Sequence, residues 1–151
     1  MANDLTDSPI FQKYRPYQIG FVQDRHNALG SELDLFIKFF GLKSITTKQS
    51  FAKKAKALLK EKLISKQLHN DLQLINLARN RFVKSLTKPN EREIRNLLNN
   101  VKSLWWSMKK RDKWDLYRLL LVCMNSIHLE FTNTPNYRKY LKAIGIGRKR
   151  K

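Results

Sequence analysis

Apolar residues recur along this chain at intervals of three and four, the period of one helix face, and nowhere show the alternation of a half-buried strand. The organising stripe lies in SKQLHNDLQLINLARNRFVKSL, Ser65 to Leu86, where Leu68, Leu72, Ile75, Phe82 and Leu86 share a face. Arg79 occupies the position on that stripe where the period predicts another apolar side chain. A guanidinium keeps its charge inside a protein, so it needs a carboxylate, carbonyl, nucleic-acid phosphate or water to accept its hydrogen bonds. Arg79 is therefore either a structural pin or part of a site.

The same period predicts the other elements. Ala28 or Leu29, Leu33, Phe36 and Phe40 mark a first helix from Gly20 to Phe40, stopped by Gly41, with His26 near its start as a solvated or capping residue. Thr46 or Thr47 is the expected N-cap of a second helix that turns Phe51, Ala55 and Leu58 or Leu59 inward and Lys53, Lys54, Lys56, Lys60 and Lys62 outward. Ser65 caps the third helix, which ends before Lys88-Pro89. Asn90 caps a fourth, with Glu91 and Glu93 at the positive end of its macrodipole. Ile94, Leu97, Leu98, Val101, Leu104, Trp105 and Met108 predict that this helix continues past residue 104. Trp106 falls off the stripe and faces another helix, a second subunit or a ligand. Beyond the basic connection Lys109 to Lys113, with Asp112 as cap, the run to Phe131 is apolar around much of its circumference. It should be the most buried helix, with Cys123 and His128 inside. Thr134 and Pro135 start a last short helix carrying Tyr137, Tyr140 and Leu141, and Gly145 stops it.

Every strong period is helical, so the expected fold is all-α, a single-domain bundle of five or six helices over residues 19–145. Residues 1–18, with Pro9, Pro16 and the aromatic-basic cluster Phe11, Lys13, Tyr14, Arg15 and Tyr17, read as an extended N-terminal arm. Its aromatic residues either pack on the core or let the arm stack on bases or grip a second subunit, so Tyr14, Tyr17 and Trp106 are candidate interface residues. Residues 146–151 form a basic tail.

Charge sharpens the picture. Thirty-one Lys and Arg against twelve Asp and Glu leave +19, while 42% apolar residues provide for a core. Such a surplus opposes compaction and attracts a polyanion, with RNA or DNA the first candidate and an acidic protein another. The candidate nucleic-acid contacts are Lys53, Lys54, Lys56 and Lys60, then Arg81 and Lys84, then Lys109, Lys110, Arg111 and Lys113, and in the tail Arg148, Lys149, Arg150 and Lys151. A lysine face of this kind is either simply solvated or in contact with phosphates.

Catalytic and metal chemistry have little to draw on. Cys123 is the only cysteine, so there is no internal disulfide, no CxxC pair and no zinc-spaced cluster, and neither metal nor cofactor is expected. GxSxG, HExxH and GxxxxGK[ST] are absent, and His26, His69 and His128 lack a neighbouring nucleophile with an orienting partner. The start MANDLTDSPIF has no basic stretch leading into a long apolar run, and LLLVCM is too short to span a bilayer. The expectation is a cytoplasmic protein without a membrane span.

The run from Phe51 through Leu63-Ile64-Ser65, Asp71-Leu72, Ile75 and Ala78 to RNRFVK resembles the corresponding segment of HEPN-type helical proteins and of mannitol-repressor-like regulators. It covers roughly a quarter of the chain. The resemblance implies a helical bundle that often dimerises and, in many members, a metal-independent ribonuclease site built from Arg and His of an RNxxxH motif contributed by both subunits. Arg79 and Asn80 match that motif, but Lys84 stands at the histidine position. An imidazole exchanges protons near neutrality, whereas an ordinary ammonium stays protonated and makes a poor base.

Three functions follow as expectations. The first is a non-enzymatic nucleic-acid-binding or regulatory protein, dimeric by resemblance, that works through its lysine faces and tail. The second is a HEPN-type ribonuclease or toxin with an altered site at Arg79, Asn80 and Lys84. The third is an adaptor for an acidic protein partner, contacted by Trp106 and the aromatic arm.

Overall fold

The computed structural model describes residues 9–43, 45, 48–84, 90–103 and 113–145, with side chains from Pro16 onward. Among them lie six α-helices and no strand: α1 Pro9–Phe39, α2 Phe51–Lys60, α3 Lys66–Lys84, α4 Glu91–Leu98, α5 Leu116–Thr132 and α6 Pro135–Ala143. The all-α expectation holds. The organising stretch is the hub, because α3 packs against α1, α2, α4 and α5. Its buried face is Leu68, Asp71, Leu72, Ile75, Ala78 and Phe82.

Side-chain caps set most of the boundaries. Ser65 Oγ accepts from Leu68 N at 3.1 Å, Asn90 Oδ1 from Glu93 N at 3.1 Å and Thr134 Oγ1 from Tyr137 N at 3.3 Å, as the sequence predicts. Gly41 and Gly145 adopt φ values of +64° and +83°, the left-handed stop conformation expected after α1 and α6. Two caps differ from expectation. Ser50 rather than a threonine opens α2, and Asp115, accepting from Arg118 N at 2.8 Å, opens α5 in place of Asp112. Thr46, Thr47 and Asp112 lie outside the described residues.

The first helix corrects the largest sequence error. Residues 9–18 are not an extended arm, because their backbone is already α-helical and continues through Pro16, Gly20 and Gly30. Pro16 removes one ladder donor, and its own ring stands exposed on the helix. With eleven more residues ahead of Gly20, His26 moves from near the helix start to its middle. It takes its place in the inward series Val22, His26, Leu29, Leu33, Phe36 and Ile37.

The fourth helix is shorter than predicted. It ends at Leu98 because the N–H groups of Lys102 and Ser103, which a continuing helix would give to the carbonyls of Leu98 and Asn99, go to the Asp71 carboxylate at 2.9 and 2.8 Å. Ser103 Oγ donates to the same carboxylate. Residues 104–112, with Trp106, and the tail 146–151 lie outside the described residues.

The core joins all six helices. Leu116, Leu119, Leu120, Cys123, Met124, Ile127 and Phe131 form the inner side of α5, and Phe36 of α1 meets Phe131, Tyr137 and Tyr140 with ring centroids 4.7 to 6.0 Å apart. Polar ties complete the packing. Asn136 Nδ2 donates to Leu63 O at 3.2 Å, and Gln73 Nε2 to Ala52 O at 3.0 Å. Arg95 pairs with Glu91 at 2.7 Å and donates to the carbonyl of Trp114, which holds α4 to the entry of α5. No helix among the described residues is long and apolar enough to cross a membrane.

Candidate functional site

Three helices converge on a cavity of about 390 Å³. Helix α1 supplies His26, Asn27, Gly30, Ser31 and Asp34, spaced so that one face of the helix lines it. Helix α2 supplies Phe51 and Lys54, and α3 supplies Arg79. The out-of-pattern arginine on the organising stripe thus opens onto a polar space between α1, α2 and α3.

Among the described residues no carboxylate pairs with Arg79. Its Nη2 reaches Asn76 Oδ1 at 3.5 Å, and its Nε is buried without a hydrogen-bond partner. Burial lowers its proton affinity below the ordinary arginine value, but guanidinium starts so high that it stays charged. His26 is only 3% exposed, lies 4.3 Å ring to ring from Phe51, and keeps a buried Nε2 without a partner. Burial drives its pKa down to about 4, the Arg79 charge pushes the same way, and a hydrogen bond with Asn76 opposes both. The ring is therefore neutral at pH 7.

Lys54 corrects the expectation of a uniform lysine face. It is 8% exposed, and its Nζ lies 2.7 Å from Asp34 Oδ1. The reason is the helical period, since residue 54 follows Phe51 by three and precedes Leu58 by four and so shares the inward side of α2. Lys53, Lys56 and Lys60 are exposed and make no ion pair with a described residue. Along α2 the outward lysines thus border the helix that closes one wall of the cavity.

The motif residues of α3 diverge. Five residues separate Arg79 from Lys84, a rotation of roughly 140° on a helix, so Lys84 stands exposed at the end of α3 while Arg79 faces α1 and α2. Asn80 is half-buried between them in sequence. Arg81 is exposed and pairs with Glu93 at 3.0 Å, so its charge is partly spent inside the fold. Lys113 is exposed just ahead of α5, and Tyr17 is exposed on α1. Lys109, Lys110, Arg111, Arg148, Lys149, Arg150, Lys151 and Trp106 lie outside the described residues, as does the Tyr14 side chain.

Sequence reasoning missed His26 as a partner of Arg79, because the two are 53 positions apart and only the packing of α1 on α3 joins them. No group of three potential metal-binding side chains occurs among the described residues. Compared with known proteins, the chain matches no family model, no curated protein and no solved structure.

Proposed function

We propose that this chain is a non-enzymatic nucleic-acid-binding protein whose affinity comes from unneutralised lysines, chiefly Lys53, Lys56 and Lys60, with the basic tail adding to it. One observation carries the reading: most of the described acids are consumed internally. Asp34 holds Lys54, Asp71 holds the 102–103 backbone, Asp115 caps α5, Glu91 and Glu93 hold Arg95 and Arg81, and Glu32 bonds Tyr137 and His128. Among the described acids only Asp24, Glu61 and Glu130 make no such contact with a described residue, which leaves few acids to pair with the exposed lysines. Exposed cations left without acids bind phosphates by releasing condensed counterions.

Filter binding of RNA and DNA across a salt series tests this directly. Affinity should fall steeply as salt rises, and a flat response rejects the proposal. One observation favours the ribonuclease reading as an alternative, namely that His26 supplies next to Arg79 the imidazole that Lys84 does not. RNA left intact by the full chain, with and without chelator and alongside Arg79→Ala, dismisses that alternative.

A further inference from the structure

The cavity between α1, α2 and α3 is built from groups that lack one another's charge. Arg79 presents a buried Nε without a partner and a single long contact to Asn76, although a guanidinium has five N–H donors. His26 presents a buried Nε2, also without a partner. Lys54 brings a second cation, which Asp34 balances at 2.7 Å. Unpaired buried polar groups are costly, and both side chains line one polar space, so a ligand entering it that accepts from the guanidinium and meets the imidazole would relieve that cost.

We propose that this cavity binds a terminal phosphate monoester, with Arg79 and His26 as its principal donors and Lys54 and Ser31 completing the cradle. The proposal rests on the nucleic-acid reading for its preferred source, the phosphorylated end of a strand, but the same chemistry is offered by a free nucleotide.

Charge selects an anion. With Asp34 cancelling Lys54, the cavity carries one net positive charge, that of Arg79. That charge favours an anion, and a phosphate monoester offers the guanidinium paired oxygens for bidentate recognition and a third for its neighbours. Steric demand favours an end. His26 and Lys54 are nearly fully buried, and a terminal phosphate, which carries chain on one side only, approaches such groups with less obstruction than an internal phosphodiester. The volume exceeds a bare phosphate, and the Phe51 ring beside His26 gives the attached sugar or base an apolar wall. The outward lysines of α2, Lys53 above all, stand next in sequence to Lys54 and extend positive charge from the cavity wall along the helix.

The test uses the full chain and one short oligonucleotide in three forms: 5′-phosphate, 3′-phosphate and hydroxyl at both ends, each labelled internally and followed by anisotropy. In parallel, inorganic phosphate and a nucleoside monophosphate are titrated while the His26 ring is followed by NMR. A phosphorylated strand should bind about tenfold more tightly than the hydroxyl form, and the free phosphate compounds should move the His26 resonances. Arg79→Gln should reduce the phosphorylated strand to the affinity of the hydroxyl form. If no strand binds but the nucleoside monophosphate moves His26, the cavity takes free nucleotides and the nucleic-acid function fails alone. If all strands bind equally and neither phosphate compound moves His26, the cavity proposal is overturned while the nucleic-acid function stands.

Discussion

The Tyr137 hydroxyl donates to Glu32 Oε2 at 3.0 Å, joining the last helix of the bundle to the first. The other carboxylate oxygen of Glu32 lies 3.5 Å from His128 Nε2, so one acid holds α1, α5 and α6 together at the edge of an aromatic cluster. Tyr137→Phe keeps the ring packing and removes only the hydroxyl. It should lower unfolding free energy by about 1–2 kcal/mol, the worth of a part-buried hydrogen bond to a charged acceptor, as measured by urea denaturation at pH 7.

The same contact gives a signature at alkaline pH. Burial and then Glu32 push the Tyr137 phenol from 10.0 up to about 12. Below pH 10 the phenol is protonated in folded and unfolded chains alike, and its stabilisation is fully present. Between pH 10 and about 12 the unfolded chain ionises first, so stability is lost as pH rises through that window. The loss should be smaller in Tyr137→Phe, and parallel curves for the two proteins would refute the coupling.

How much was legible beforehand depends on what each feature rests on. The stripe of α3 and the caps Ser65, Asn90 and Thr134 were readable because local spacing and side-chain chemistry specify them. The start of α1 was not. Pro9 and Pro16 argue locally for extended chain, and only burial of Val22, His26 and Leu29 on the core repays continuing the helix through a proline. Lys54 was legible in principle, lying between Phe51 and Leu58 on the inward side, but the lysines around it disguised the position. Asp71 shows the opposite limit. Its place beside Leu68 and Leu72 is readable, whereas its partner Ser103 lies 32 residues away and follows only from the packing of α3 beside α4.

Asp71 should be among the most sensitive positions in the fold. Its carboxylate is 1% exposed and accepts from two backbone N–H groups and the Ser103 hydroxyl. Asp71→Ala leaves those donors buried and unpaired, with a destabilisation of about 2–4 kcal/mol expected in urea or thermal unfolding. Asp71→Asn keeps one acceptor oxygen and should cost less. Equal stability of the alanine variant and the parent would show that the 101–103 turn does not depend on this acid.

His26 predicts acid sensitivity. Its folded pKa of about 4 lies below the unfolded value of 6.5 because burial and Arg79 disfavour the cation. Above pH 6.5 both states hold a neutral ring and the site is neutral in effect. As pH falls from 6.5 toward 4 the unfolded chain takes up the proton first, so stability declines across that window by up to roughly 3 kcal/mol and flattens below it. His26→Gln has no such proton to take up. Its stability should decline less over the same range, and an unchanged slope would contradict the burial of the ring.

Lys62 sits at the turn between α2 and α3 with φ of +58°, a left-handed conformation that a side chain disfavours and glycine adopts freely. Lys62→Gly should therefore stabilise the fold by about 0.5–1 kcal/mol, even after the added freedom of glycine in the unfolded chain is counted.

The outward lysines of α2 should behave in the opposite way to these structural residues. Lys53, Lys56 and Lys60 are exposed and make no ion pair with a described residue, so replacing all three by glutamine breaks no ion pair among the described residues. Unfolding free energy should shift by no more than about 0.5 kcal/mol per substitution. Each phosphate contact, however, releases close to one counterion, so the slope of log affinity against log salt should become shallower by about 2 to 3 when three contacts are lost. Lys54, only one position from Lys53, is the internal contrast. Lys54→Gln leaves Asp34 without its 2.7 Å partner and should show its main effect in stability, with the salt slope changed by less than the triple variant changes it. A triple variant with an unchanged slope would remove α2 from the binding surface.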